Sequence, residues 1–144
     1  MKSNKDIIIA YSKALWNDRN LSVIEQTVSP SAQIHSPFNT TVQGNHTMHD
    51  IVEKWLTAFP DLTIKWDEFI SEGDKVVSRW SASGTHLGSF FDTKPTYHEV
   101  RYSGITIYHL KEEKIVDYRA LVDVHAILSQ LKEYDSMEEA LESE

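Results

Sequence analysis

Apolar positions in the first sixty residues recur every three or four places, and after Pro60 they alternate. Ile7, Ile8, Tyr11, Leu15 and Trp16 share one side of a predicted helix over 3–16, which Ser3 and Asp6 open in the manner of a capping box. Asn17, Asp18 and Asn20 turn the chain into a short second helix, 21–28, whose Leu21, Ile24 and Val28 face inward until Ser29 and Pro30 end it. A short strand, 32–35, stops at Ser36 and Pro37. The clearest apolar stripe belongs to a third helix, 47–59, where Met48, Ile51, Val52, Trp55, Leu56 and Phe59 line up behind Thr47 as N-cap.

Beyond Pro60, Leu62, Ile64 and Trp66 take one face of a strand and Thr63, Lys65 and Asp67 the other. Glu72, Gly73 and Asp74 form a hairpin turn into a long strand, 75–85, followed by a loop over 86–96. Strands over 99–110 and 115–121 meet at a polar turn, and Asp123 precedes a last helix, 124–131. Helices first and an antiparallel meander afterwards predict an α+β fold with helices over one face of a strongly bent sheet. A sheet that curls without closing leaves space at its wide end, so a small-molecule pocket is expected on the concave face.

The 144 residues suffice for one core, placed over 1–132. Residues 133–144 form an acidic tail that supplies six of the eight net negative charges. Lys and Arg are scattered singly, which excludes a nucleic acid partner and disfavours an anionic membrane. No apolar run near the start is long enough for a membrane span. The lack of cysteine excludes disulfides, thiolate zinc sites and a thiol nucleophile, and fits a cytoplasmic protein. His46 and His49 have no third ligand at a matching spacing, so neither a metal nor a cofactor is expected.

The order of elements, with GTHLGSF at 84–90, Lys94 to Thr96, Tyr102-Ser103-Gly104, Lys114 to Asp117, and Asp123 to Leu131 including Gln130, resembles the SnoaL-like polyketide cyclases. These share the cone-shaped fold of nuclear transport factor 2 and ketosteroid isomerase. The resemblance implies a homodimer and a pocket for a small apolar or aromatic carbonyl compound. It also implies an aldol-type, carbon–carbon bond-forming reaction or related acid–base chemistry at a non-standard site. The alternative is a non-catalytic ligand-binding or protein-interaction module. The family's acid–base aspartate falls on Ala120 here, its assisting histidine on Tyr108, and its PPTG turn reads Lys94, Pro95, Thr96, Tyr97.

Two residues remain as acid–base candidates. Asp123 is the carboxylate nearest the vacated position, although an Asp before a helix is by preference a cap. His86 ends the long strand at the expected pocket mouth. His35, Trp55, Phe59, Trp80, Phe90, Tyr102 and Tyr108 are the expected ligand-binding wall.

Overall fold

The computed structural model describes residues 2–38 and 42–132; the acidic tail, 133–144, lies outside the described residues. Helix α1 (Asn4–Trp16) begins where Ser3 Oγ accepts the Asp6 amide at 3.1 Å, and it buries Ile8, Tyr11, Ser12, Leu15 and Trp16. Helix α2 (Val23–Thr27) leads into β1 (Val28–His35) and a two-residue β2 (Val42–Gln43). Helix α3 (His46–Ala58) follows, then β3 (Thr63–Glu72), β4 (Lys75–Thr85), β5 (Glu99–Lys111) and β6 (Lys114–Val122). Residues 124–132 form a last helix, α4.

The six strands make one sheet in the order β2-β1-β6-β5-β4-β3, with β1 parallel to β6 and every other pair antiparallel. Ile8, Leu15, Ile24, Ala32, Ile34, Met48 and Val76 are each fully enclosed, which places the core between the helices and the concave face. The α+β arrangement is as the residue pattern predicts, and the cone is as the resemblance implies.

Several boundaries differ from those predicted. The second helix is shorter, Leu21 lies outside it at 43% exposure, and Val28 already belongs to β1. Pro30 does not stop the chain but sits inside β1, where pairing with β6 lapses between Val28 and Gln33, so its missing N–H forfeits no ladder bond. Thr47 is a buried residue of the first turn of α3, and the N-cap position is Asn45, whose side-chain amide donates to Val28 O at 3.3 Å. Two residues of β2 carry no period and had no signal.

Two side-chain amides finish what the strands leave open. Asn17 Nδ2 donates to Ile64 O at 3.0 Å and its Oδ1 accepts the Ile64 amide at 3.2 Å, so the end of α1 pairs with the edge strand β3 as another strand would. Gln130 does the same for β5: Oε1 accepts the Arg101 amide at 3.0 Å and Nε2 donates to Arg101 O at 2.7 Å. Arg19 donates to the carbonyls of Trp16, Pro60 and Leu62 and so fastens the exit of α1 to the start of β3. Asn17→Ala is expected to lower unfolding free energy by about 1–2 kcal/mol, two backbone groups losing their partners, as a urea titration would measure.

Candidate functional site

The wide end of the cone holds a cavity between α1, α3 and the sheet. Trp16, Trp55, Trp66 and Trp80, the four tryptophans of the chain, all line it. Tyr102, Tyr108 and Tyr118 supply three phenols, and Ser36 and Thr106 two hydroxyls. Pro37, Ile51, Leu62, Ile64, Ala120 and Val122 complete the wall. The space between the side chains and their mouth is about 470 Å³, but the cavity proper measures about 30 Å³, room for one or two waters. The smaller volume describes the site as it stands: the rings fill it, and a bicyclic ligand has to part them.

Local sequence explains the packing. Trp80 pairs with Gly104 across β4 and β5, and a Cβ on Gly104 would lie 2.4 Å from the indole and 2.6 Å from Leu121 O. Glycine lets the indole lie on the sheet, with Nε1 donating to Thr106 Oγ1 at 3.0 Å. Trp55 stacks on Tyr102 with centroids 5.5 Å apart and planes 18° apart. The pairing of β3 with β4 shifts between Trp66 and Glu68, an irregularity that turns half-buried Trp66 to the cavity.

Of the expected wall residues, Trp55, Trp80, Tyr102 and Tyr108 line the cavity. Phe59 and Phe90 stand one layer behind, their rings 6.3 and 5.4 Å from Trp55. His35 is not pocket-facing: Ile34 takes the inward position of β1, and His35 Nε2 lies 3.7 Å from Asp117 Oδ2 on the other face. Trp16, Trp66 and Tyr118 were not among the expected wall. Parity with Ala120 along β6 was the signal for Tyr118, and the helical stripe the signal for Trp16.

The two acid–base candidates stand elsewhere. Asp123 is exposed, and its Oδ1 accepts the Ala126 amide at 3.0 Å, the N-cap contact of α4. It borders a shallow groove on the outer face beside Asp67 and Arg79. His86 is fully buried 5.8 Å from the Phe59 ring and does not line the cavity. Its backbone pairs with His98 and Tyr97, and Nδ1 accepts the Thr96 amide at 3.1 Å. A proton on Nδ1 would set N–H against N–H, so the loop holds this ring in the other tautomer. Ala120, by contrast, does line the cavity, opposite Thr106 in the β5–β6 register.

Other expectations follow the sheet's alternation. Arg79 and Arg119 face outward, at 3.7 Å from Asp67 and 3.1 Å from Asp117. His49 pairs with Glu25 across α2 and α3. No helix among the described residues is long and apolar enough to cross a membrane.

A curved sheet under helices, enclosing an aromatic cavity, is the architecture of the nuclear transport factor 2-like cone. The chain belongs to the SnoaL-like polyketide cyclase family, matching it over residues 6–131. AclR of Streptomyces galilaeus, a candidate hydroxylase, is similar at 27% identity with a TM-score of 0.79 over 90% of this chain and 96% of that one. IdmH of Streptomyces antibioticus, a candidate polyketide cyclase, superposes with a TM-score of 0.78 at 22% identity over 91% and 99%. TsrD of Streptomyces laurentii does so with 0.80 at 18% identity over 91% and 96%. Among curated proteins none matches.

Burial acts strongly on the tyrosines. Tyr108 is pushed up to about 12 from the ordinary 10.0, with the Ser12, Ser78 and Thr106 hydroxyls offsetting part of the effect. Burial also raises Tyr11, Tyr102 and Tyr118. Below about pH 9 all four are neutral whether folded or unfolded. Above it the unfolded chain ionises first, so stability falls with rising pH by about 1.4 kcal/mol per pH unit for each tyrosine. Urea titrations between pH 9 and 11.5 are expected to show this loss, with a slope about 1 kcal/mol per unit shallower in Tyr108→Phe between pH 10.5 and 11.5.

Proposed function

We propose that this protein holds a small, neutral, mostly apolar carbonyl or aromatic compound in the cavity, as a SnoaL-type small-molecule pocket protein. One observation carries the reading: all fifteen of the described residues that line the cavity are uncharged at neutral pH, and seven of them are Trp or Tyr. Flat aromatic walls with a few hydroxyls favour an apolar ring system bearing oxygen and disfavour an ion, which would go unpaired there.

The same lining bears on catalysis. Aldol closure needs a base at the acidic carbon and a donor at the developing alkoxide. With Ala120 at the family's acid–base position, Asp123 committed to a cap and His86 to its loop, Tyr108 is the donor we assign, and none of the described side chains of the lining is a base. Binding with carbonyl polarisation is therefore the better supported reading, ahead of polyketide cyclase activity through Asp123 and His86. A cysteine-free chain accords with a cytoplasmic setting.

A homodimer is the assembly we propose. Ile105 and Leu121 pair on the outer sheet face at 40% and 65% exposure, and Ile70, at 55%, lies on the same face two positions along, in register with Val77 and Ile107. A self-complementary apolar face of this kind suits an isologous contact. Leu121→Lys is expected to turn a dimer into a monomer by light scattering at micromolar concentration; a monomeric parent would overturn the assignment.

Because every tryptophan lines the cavity, intrinsic fluorescence reads its occupancy directly. Tetralin or 1-tetralone at about ten times its dissociation constant is expected to change that fluorescence and raise Tm by about 4 °C. Ala120→Trp, which fills the cavity, is expected to abolish both effects. If neither compound shifts the parent, the ligand reading fails.

A further inference from the structure

Resting on the reading of the cavity as a ligand site, we propose that its floor is an acceptor-seeking subsite: Tyr108, with Thr106 and Tyr118 beside it, receives a carbonyl oxygen of the ligand in preference to a hydroxyl. The argument is one of hydrogen-bond direction. An indole N–H can only donate, so Trp80 gives its proton to Thr106 Oγ1 at 3.0 Å and the Thr106 hydroxyl hydrogen has to point onward. The next hydroxyl on that face of β5 is the Tyr108 phenol, and Thr106, Ser12 and Ser78 all act on it.

The contact that could absorb the Tyr108 proton is weak. Ser12 Oγ lies 3.5 Å from the phenol oxygen, at the limit of a hydrogen bond. Ser78 Oγ and Tyr11 OH are buried beside it and find no hydrogen bond of good geometry. Among the described residues every polar side chain of the cavity brings a proton, and none of them is a carboxylate, carboxamide or imidazole. A chain that begins on a donor-only group ends with a proton to spare. An oxygen with lone pairs and no hydrogen takes it; an alcohol at the same point adds another donor. The ligand end that fits is thus a ketone, aldehyde or quinone oxygen, with its ring system against Trp55, Trp80 and Tyr102.

The test uses three compounds of one skeleton: tetralin, 1-tetralone and 1-tetralol. Dissociation constants from tryptophan fluorescence are expected to favour the ketone over the hydrocarbon by about tenfold in the parent protein, with the alcohol weaker than the ketone. Tyr108→Phe should bring the ketone to within about twofold of tetralin while leaving tetralin unchanged. The ¹³C carbonyl resonance of labelled 1-tetralone should move downfield on binding the parent and lie near its apolar-solvent value in the variant, a change that altered packing alone would not produce. Should Tyr108→Phe fail to fold, Thr106→Val is read by the same two measurements. Equal binding of ketone and hydrocarbon to the parent, or tighter binding of the alcohol, overturns the subsite and leaves the pocket reading standing. Failure of all three compounds to bind overturns both.

Discussion

Backbone that no strand can reach still has to be hydrogen-bonded, and the way this protein meets that demand fixes the position of its helices. β6 ends opposite Gly104, so β5 continues toward Glu99 without a neighbour on that side. Asp123 N donates to Ser103 O at 3.1 Å and the Gln130 carboxamide closes on Arg101. At the other edge of the sheet, Asn17 closes on Ile64. An amide side chain reproduces both halves of a peptide group, so one residue satisfies a donor and an acceptor at once. Each of these contacts also docks a helix. α1 is held where Trp16 reaches the cavity, and α4 is held at the sheet beside β5.

The motif that most marks the family proves to be part of the same scaffold. In GTHLGSF, a Cβ on Gly84 would sit 2.9 Å from Phe59 Cβ, and one on Gly88 would sit 2.1 Å from Thr57 O. The amides of Leu87 and Gly88 donate to Ala58 O, which caps the end of α3. His86 ties the following loop through Thr96, and Phe90 packs under Trp55. The segment therefore sets the distance between α3 and β4, and with it the width of the cavity. Tyr97 stands in that loop at φ 60°, a backbone conformation that glycine adopts without strain, which explains a glycine in the family's PPTG turn.

Alternation and helical spacing made the scaffold legible. The β4 and β5 strands, the hairpin at Gly73 and the capped first and last helices are all written in local patterns, because each depends on neighbours within a few residues. β1 begins earlier than the pattern predicts because Pro30 and Ser29 are ordinary stop signals, and the lapse in β6 pairing makes them tolerable inside a strand. The cavity was half legible. Trp55, Trp80, Tyr102 and Tyr108 follow from face parity, whereas His35, His86 and Asp123 were placed by resemblance and by chemistry. Where an ionisable side chain points depends on a competing polar partner: the Asp117 carboxylate near His35, the Thr96 amide at His86, the Ala126 amide at Asp123. Those partners are set by tertiary packing and leave no mark in spacing.

Ala120 is the residue at which scaffold and chemistry part. It keeps its place in the cavity wall, facing Thr106 across the ladder, yet it brings no charge. A carboxylate there would be desolvated among rings with no cation among the described lining residues, which would raise its pKa and favour the protonated form. The phenols around it respond to the same environment by holding their protons more tightly. The described lining is thus neutral, and each of its polar side chains can donate a hydrogen bond. A donor alone stabilises oxygen charge but generates no carbanion. On the proposed reading the site recognises a carbonyl oxygen, and a carbon–carbon bond made there would begin from a substrate that already carries its nucleophile, such as a populated enol.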